Sequence, residues 1–282
     1  MVRVQVKARD TAELGYARLA LAAYLLYYYA RLYPELGYYF GPGGMIAPGL
    51  IETTPRLSLL FLAWNPIAIQ LMLWLVVSAL VAFGLGVYPR IALAICLPLH
   101  LSFHHANPLI IHEPQQIANL LLLLFIVLPC DSGWRAAEWP KRRRVALDPR
   151  TLTWLVAYLG IYYLLAGAKK LADPLWRSGE ALWFLMQWPP FYVDSPVSGW
   201  LVAHPGLCRW LTWGTLAFEI TFLPAAFSRI RPLLVPVGAI FHAGILMTLE
   251  VGSFPFVLAP WYALLLDGRT RDALAAPFRR LR

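Results

Sequence analysis

Apolar residues run through this chain in long blocks, and the breaks between the blocks are short and polar. The blocks lie near 14–33, 67–87, 90–106, 116–130, 151–171, 207–227, 231–250 and 254–267. A hydrocarbon layer about 30 Å thick takes about 20 residues of helix to cross, so each block reads as a spanning helix. The third, fourth and eighth are short, and Pro98 and Pro260 predict kinks there. The pattern predicts an all-α, polytopic integral membrane helical bundle with about eight transmembrane helices and short interfacial helices beside them. No internal repeat interrupts it, so residues 1–282 read as a single transmembrane domain with a basic tail over about 269–282 and no soluble domain.

Three breaks are informative. Residues 34–56 carry Gly41-Pro42-Gly43-Gly44, which opposes regular helix. Residues 131–150 hold Arg135, Lys141, Arg142, Arg143, Arg144 and Arg150. Residues 172–206 hold Trp176, Trp183, Trp188 and Trp200 among prolines, the composition of a segment at the membrane–water boundary. Within it Gly179–Trp188 predicts a short amphipathic helix on the bilayer surface. A further interfacial helix is predicted over 57–66.

Composition agrees with lipid as the solvent. Apolar residues make up 60% of the chain and charged ones only 14%, where a soluble domain carries roughly a quarter charged. The net charge of +9 does not point to nucleic acid, because the basic residues sit between apolar blocks, where topology places them. With the N-terminus inside and eight crossings, 17 of the 24 lysines and arginines fall on the inner side. The positive-inside rule therefore predicts a multi-pass cell membrane protein with both termini cytoplasmic. Arg3, Lys7 and Arg9 precede a first block too long and aromatic for a cleaved signal. Cys96, Cys130 and Cys208 match no metal or redox spacing and read as small apolar fillers.

Ionisable groups inside spans are costly, about 2.5–3.5 kcal/mol on insertion scales. They are Arg18, His100, His104, Lys169, Lys170, Glu219, His242 and Glu250. Adjacent lysines lie about 100° apart on a helix, so one of the pair faces inward. Lys170 shares a face with Tyr163 and Gly167 and is the inward candidate. A desolvated lysine beside a second cation can serve as a base. Glu219 must be protonated or paired, with Arg18 or a lysine as partner. His100 and His104, with His105 and His112 beyond them, lack a matching second ligand pair. They read as hydrogen-bonded bundle histidines, and no metal is predicted.

At these residues the sequence resembles the HTTM (horizontally transferred transmembrane) family, which is related to the vitamin K-dependent γ-glutamyl carboxylase. The likeness rests first on Tyr162-Tyr163-Leu164-Leu165-Ala166-Gly167-Ala168-Lys169-Lys170-Leu171, with Trp176, Gly179 and Ala181 following. Phe241-His242, Gly252 with Phe254, and Asn107-Pro108-Leu109 leading to Leu128-Pro129 add to it. The resemblance implies a membrane enzyme of the carboxylase/epoxidase kind, with Lys170 as the base and His242 as a second catalytic residue near the extracytoplasmic face. Lys169, His104, His112, Tyr163, Glu219 and Trp176 are then the expected cofactor-binding residues.

The implied cofactor is a quinol like vitamin K hydroquinone, with oxygen and carbon dioxide as co-substrates. The implied partners are membrane lipid and quinone, with a protein or peptide substrate left open and no nucleic acid. The sequence departs from the family at Pro114-Gln115, at Asn119 where the family has Arg, and at His112-Glu113. The large extramembrane region of the carboxylase has no counterpart in these residues, which speaks against a propeptide-bearing substrate. The alternatives are a non-catalytic quinone- or lipid-binding subunit or an assembly factor, and then a small-solute transporter.

Overall fold

A computed structural model describes residues 12–45, 58–110, 113–131 and 149–265. All regular structure among the described residues is helical. In chain order the α-helices are α1 (Ala12–Leu32), α2 (Leu36–Phe40), α3 (Pro66–Leu85), α4 (Pro89–Ala106), α5 (Glu113–Val127), α6 (Pro149–Ala172), α7 (Pro174–Ser178), α8 (Ala181–Leu185), α9 (Pro196–Val202), α10 (Pro205–Ala226), α11 (Leu234–Thr248), α12 (Phe254–Val257) and α13 (Ala259–Leu265). Three segments are long and apolar enough to cross a membrane: Pro66–Leu85, Thr153–Ala172 and Arg231–Thr248, the last with a 3-10 turn at its start. Pro114–Val127 is apolar but shorter.

Each long helix has a local reason to begin. Pro66 and Pro89 stand in the first turns of α3 and α4, where proline's missing N–H costs nothing. The Asn65 side chain accepts a hydrogen bond from the Ala68 amide, and Gly86 closes α3 in the left-handed region at φ 74°. Pro98 lies inside α4, which runs on past it to Ala106. The Ser102 hydroxyl donates to the Pro98 carbonyl, one of the backbone groups near the proline.

Several short predictions change. The eighth block is two short helices, α12 and α13, rather than one helix of spanning length among the described residues. The 34–56 segment opens with a 3-10 turn and the five residues of α2 before its glycines take over. The helix predicted over Gly179–Trp188 starts only at Ala181. Gly179, at φ 82°, caps α7 by donating to the Leu175 and Trp176 carbonyls and breaks the run. Over 57–66 the described part is a 3-10 helix, Leu59–Ala63, capped by Ser58. The Arg135–Arg144 cluster, His112 and the 269–282 tail lie outside the described residues.

By packing, the chain forms two compact units. One takes the described residues between Asp10 and Ala146 together with Phe256–Pro260. Its core sets α1 against α3, α4 and α5, with Leu21, Leu25, Phe83, Phe103 and Phe125 fully buried. Arg18, fully buried, donates from Nη1 to the Cys130 carbonyl at 2.5 Å. That bond answers the cost of a charge in the first block with a carbonyl beyond the end of α5. All three cysteines are free and buried.

The other unit takes the described residues between Leu147 and Pro255 and those from Trp261 onward. Its central feature is the packing of α6 on α10. A Cβ on Gly160 would fall 3.0 Å from the Leu223 Cα, and one on Gly167 would fall 3.1 Å from the Glu219 Cβ. Two glycines seven residues apart thus let the backbones approach closely, a device of membrane helix pairs. The contacts run in opposite order along the two helices, so α6 and α10 are antiparallel. Between them α7, α8 and α9 are five, five and seven residues long, far short of a crossing. They shelter a small core of Met186, Leu201, Cys208 and Leu249.

Candidate functional site

The close approach at Gly167 decides where the lysines of α6 go. Tyr163 and Gly167 are buried, Lys170 is half-buried on the same face, and Lys169 is exposed. One turn after Gly167, Lys170 meets Glu219 across the helix pair. Its Nζ donates to both carboxylate oxygens, at 2.6 and 2.7 Å. The Lys170 side chain is 27% exposed and that of Glu219 only 6%. Of the partners expected for Glu219, a lysine is therefore the one found. The ammonium also lies 5.2 Å from the centre of the Trp176 ring, on α7, in cation–π range.

Two turns before Lys170 on the same face, Tyr163 opens a second polar chain. Its hydroxyl lies 2.7 Å from His242 Nε2 on α11 and 2.9 Å from the Tyr262 hydroxyl on α13. The three groups can be ordered either way. Donation can run from Tyr262 through Tyr163 to Nε2, leaving Nδ1 with the ring proton. It can also run from Nε2 outward, leaving Nδ1 bare. Nδ1 is buried and has no hydrogen-bond partner among the described residues. Phe241 and Phe254 pack on the His242 ring, at 5.1 and 6.0 Å between centres. Phe222 stacks on Tyr163 at 4.4 Å.

Tyr262 escaped the sequence reading, and Gly238 with it. A Cβ at Gly238 would fall 2.2 Å from the Tyr262 hydroxyl oxygen and 2.4 Å from its ring, so the missing side chain makes the place where Tyr262 lies. The signal was faint: a glycine one turn before His242, and a tyrosine in a weak eighth block. Replacing Tyr163 with phenylalanine strands Nε2 and the Tyr262 hydroxyl together. The expected loss is about 1–3 kcal/mol of stability, to be read from thermal unfolding in detergent. An unmoved midpoint would show that this chain of hydrogen bonds does not hold the fold.

The other expected residues divide. His104 is buried on α4 in the other unit, with Nδ1 accepting from the Asn119 amide at 2.8 Å. His112 lies outside the described residues. Glu250 is exposed, and its amide donates to the Phe191 carbonyl at 3.0 Å. Lys170, Glu219, Trp176, Tyr163 and His242 thus fall within one unit, on α6, α7, α10 and α11. Lys170 meets both Glu219 and Trp176, and Tyr163 meets His242.

What this arrangement can do chemically is hold and pass protons. Two oppositely charged groups share hydrogens at 2.6–2.7 Å, and a buried imidazole sits on a tyrosine pair. Among the described residues no group of three metal-ligating side chains occurs. Comparison with known proteins places this set inside a recognised domain. The HTTM domain family model matches residues 116–267, which include Tyr163, Lys170, Trp176, Glu219, His242 and Tyr262. No curated protein and no solved structure matches the chain.

Proposed function

The chain belongs to the HTTM domain family, and from that premise we propose that it is a multi-pass membrane enzyme whose Lys170–Glu219 pair abstracts a proton from a quinol or prenylated lipid. The family match and the long apolar helices make it a membrane protein. Seven helices of 15 to 24 residues, with the α12–α13 segment as an eighth, supply the crossings of the proposed single domain. Antiparallel α6 and α10, joined by helices too short to cross, support one membrane face for the 173–204 segment. The excess of basic residues in alternate loops supports that face as the outer one, with both termini in the cytoplasm.

The observation that carries the reading is the lysine whose ammonium is gripped by a carboxylate 6% exposed, under an indole ring. As an ammonium, Lys170 has no lone pair. Transfer of one proton across 2.6 Å to Glu219 leaves an amine beside a neutral acid, and the pair stays neutral overall. The amine can then take a hydroxyl proton, with the carboxyl returning the first one to solvent or product. Glu219 is in this sense part of the base, which the sequence alone did not assign. The partnerless His242 Nδ1 among aromatic rings fits a quinol oxygen, as donor or acceptor according to the order of the tyrosines. Such a ligand supplies an acidic hydroxyl on a flat apolar ring. Lys170, His242 and Trp176 would hold it, with carbon dioxide and oxygen as co-substrates in the carboxylase-like version.

Turnover of vitamin K hydroquinone by the purified full chain in nanodiscs, followed by mass spectrometry of the quinone products, tests this. Lys170→Ala and Glu219→Gln should each lower it by at least a hundredfold, the scale of one acid–base group. Wild-type turnover no faster than that of Lys170→Ala would sink it. The double hydrogen bond favours one other reading, a plain structural ion pair in a non-catalytic quinone- or lipid-binding subunit or assembly factor. Under that reading the quinol binds and is not turned over.

A further inference from the structure

A second polar cluster lies in the other unit, where α1, α4 and α5 converge, and nothing proposed above uses it. His100 and His104 are 0% and 1% exposed, with ring centres 4.2 Å apart. Tyr28 stands edge-on to both rings, at 6.4 and 5.9 Å. The Tyr29 hydroxyl lies 2.7 Å from His100 Nδ1, and the Asn119 amide nitrogen lies 2.8 Å from His104 Nδ1. Beyond these bonds four buried polar atoms have no hydrogen-bond partner among the described residues: His100 Nε2, His104 Nε2, the Tyr28 hydroxyl and Asn119 Oδ1. Folded proteins leave few such atoms, and four in one place call for an explanation.

The bonds already made determine what the free atoms offer. An amide nitrogen only donates, so His104 Nδ1 accepts and the neutral ring carries its proton on Nε2. The Tyr29 hydroxyl and His100 Nδ1 can share their proton in either direction, so His100 Nε2 is a donor or an acceptor according to the tautomer. Metal-bound histidines show the opposite arrangement, a bare ligating nitrogen with the other N–H donated outward. The cluster therefore presents one fixed imidazole N–H donor on His104, the Nε2 of His100, a hydroxyl and an amide carbonyl. The four groups carry no formal charge, so an anion would be buried without compensation. A carbonyl oxygen, with two lone pairs, can accept from the His104 N–H and from the Tyr28 hydroxyl.

We propose that His100, His104, Tyr28 and Asn119 form a binding site for the carbonyl group of a neutral, membrane-soluble molecule. The site is separate from the Lys170–Glu219 pair and does not depend on it. Its ligand is either a ring ketone or an acyl ester, which share this chemistry.

Benzophenone, a neutral ketone that labels neighbouring C–H bonds on irradiation, probes the site in the purified full chain. Saturable labelling is expected on peptides containing residues 24–29, 99–106 and 117–122. Tyr28→Phe removes only a partnerless hydroxyl, so it should fold as the wild type does while weakening half-saturation about fivefold, the worth of one hydrogen bond. His104→Leu should abolish the saturable component. The bound probe's carbonyl stretch should fall in frequency in the wild type and return toward its free value in both variants. Competition by menadione identifies a ring ketone, and competition by dioctanoylglycerol an ester. Labelling confined to lipid-facing positions, or equal half-saturation in all three proteins, would overturn the proposal. So would saturable stabilisation by zinc chloride that His104→Leu removes, since it requires a bare Nε2 on His104.

Discussion

Lys170→Met is expected to destabilise the chain by about 3 kcal/mol, while Glu219→Leu costs only about 1 kcal/mol. The two partners are not equally buried, at 27% and 6% side-chain exposure. Removing the lysine takes two hydrogen bonds from a carboxylate only 6% exposed, whose Cβ packs against α6 at Gly167. Removing the carboxylate leaves an ammonium on a long flexible stem that can swing outward and keep its contact with Trp176. The double variant Lys170→Met/Glu219→Leu should recover most of the loss, because no buried carboxylate then remains to be held. Reversible unfolding in mixed detergent gives all three values. Equal costs for the two single variants would show that the pair is not held asymmetrically. All three proteins should lack quinol turnover, and the stable double variant then separates loss of chemistry from loss of fold.

Gly238→Ala is the second large effect. The added methyl would sit 2.2–2.4 Å from the Tyr262 hydroxyl and ring, inside the contact distance of any real pair of atoms. Tyr262 must leave, and the bond between its hydroxyl and Tyr163 goes with it. Overpacking of this kind costs about 1–3 kcal/mol. Because the methyl acts on one ring, Gly238→Ala combined with Tyr262→Ala should cost less than the two changes added separately. Additive costs would mean that Tyr262 does not fill the place left by Gly238. A quinol assay on the same variants reports whether the order of the Tyr262–Tyr163–His242 chain matters to His242.

The lysine face of α6 was legible because it depends only on helical period. Tyr163, Gly167 and Lys170 share a face wherever that helix is placed, and Lys169 does not. Glu219 was legible as a residue in need of a partner, because a carboxylate in an apolar run has to find one. Arg18 and the lysines were equal candidates on charge alone. The structure assigns Lys170 to it and gives Arg18 the Cys130 carbonyl. The predicted helix over Gly179–Trp188 failed at its first residue, since a glycine at φ 82° ends one helix before the next begins. Tyr262 was barely legible. Its role comes from a hole in α11, and a hole has no periodicity.

By itself the amino-acid order determined the solvent and the class of structure: apolar blocks too long and too poor in charge for water, helices throughout the described residues, and family membership through the α6 motif. Those properties follow from hydropathy, helical period and residue identity, all of which are local. Tertiary structure decided the partnerships. Which carboxylate holds Lys170, which tyrosine reaches His242 through Tyr163, and which nitrogen of His100 and of His104 is left free depend on contacts between residues 15 to 99 positions apart. Such contacts are set by how closely backbones pack at glycines such as Gly160, Gly167 and Gly238, and spacing along a chain does not encode that distance.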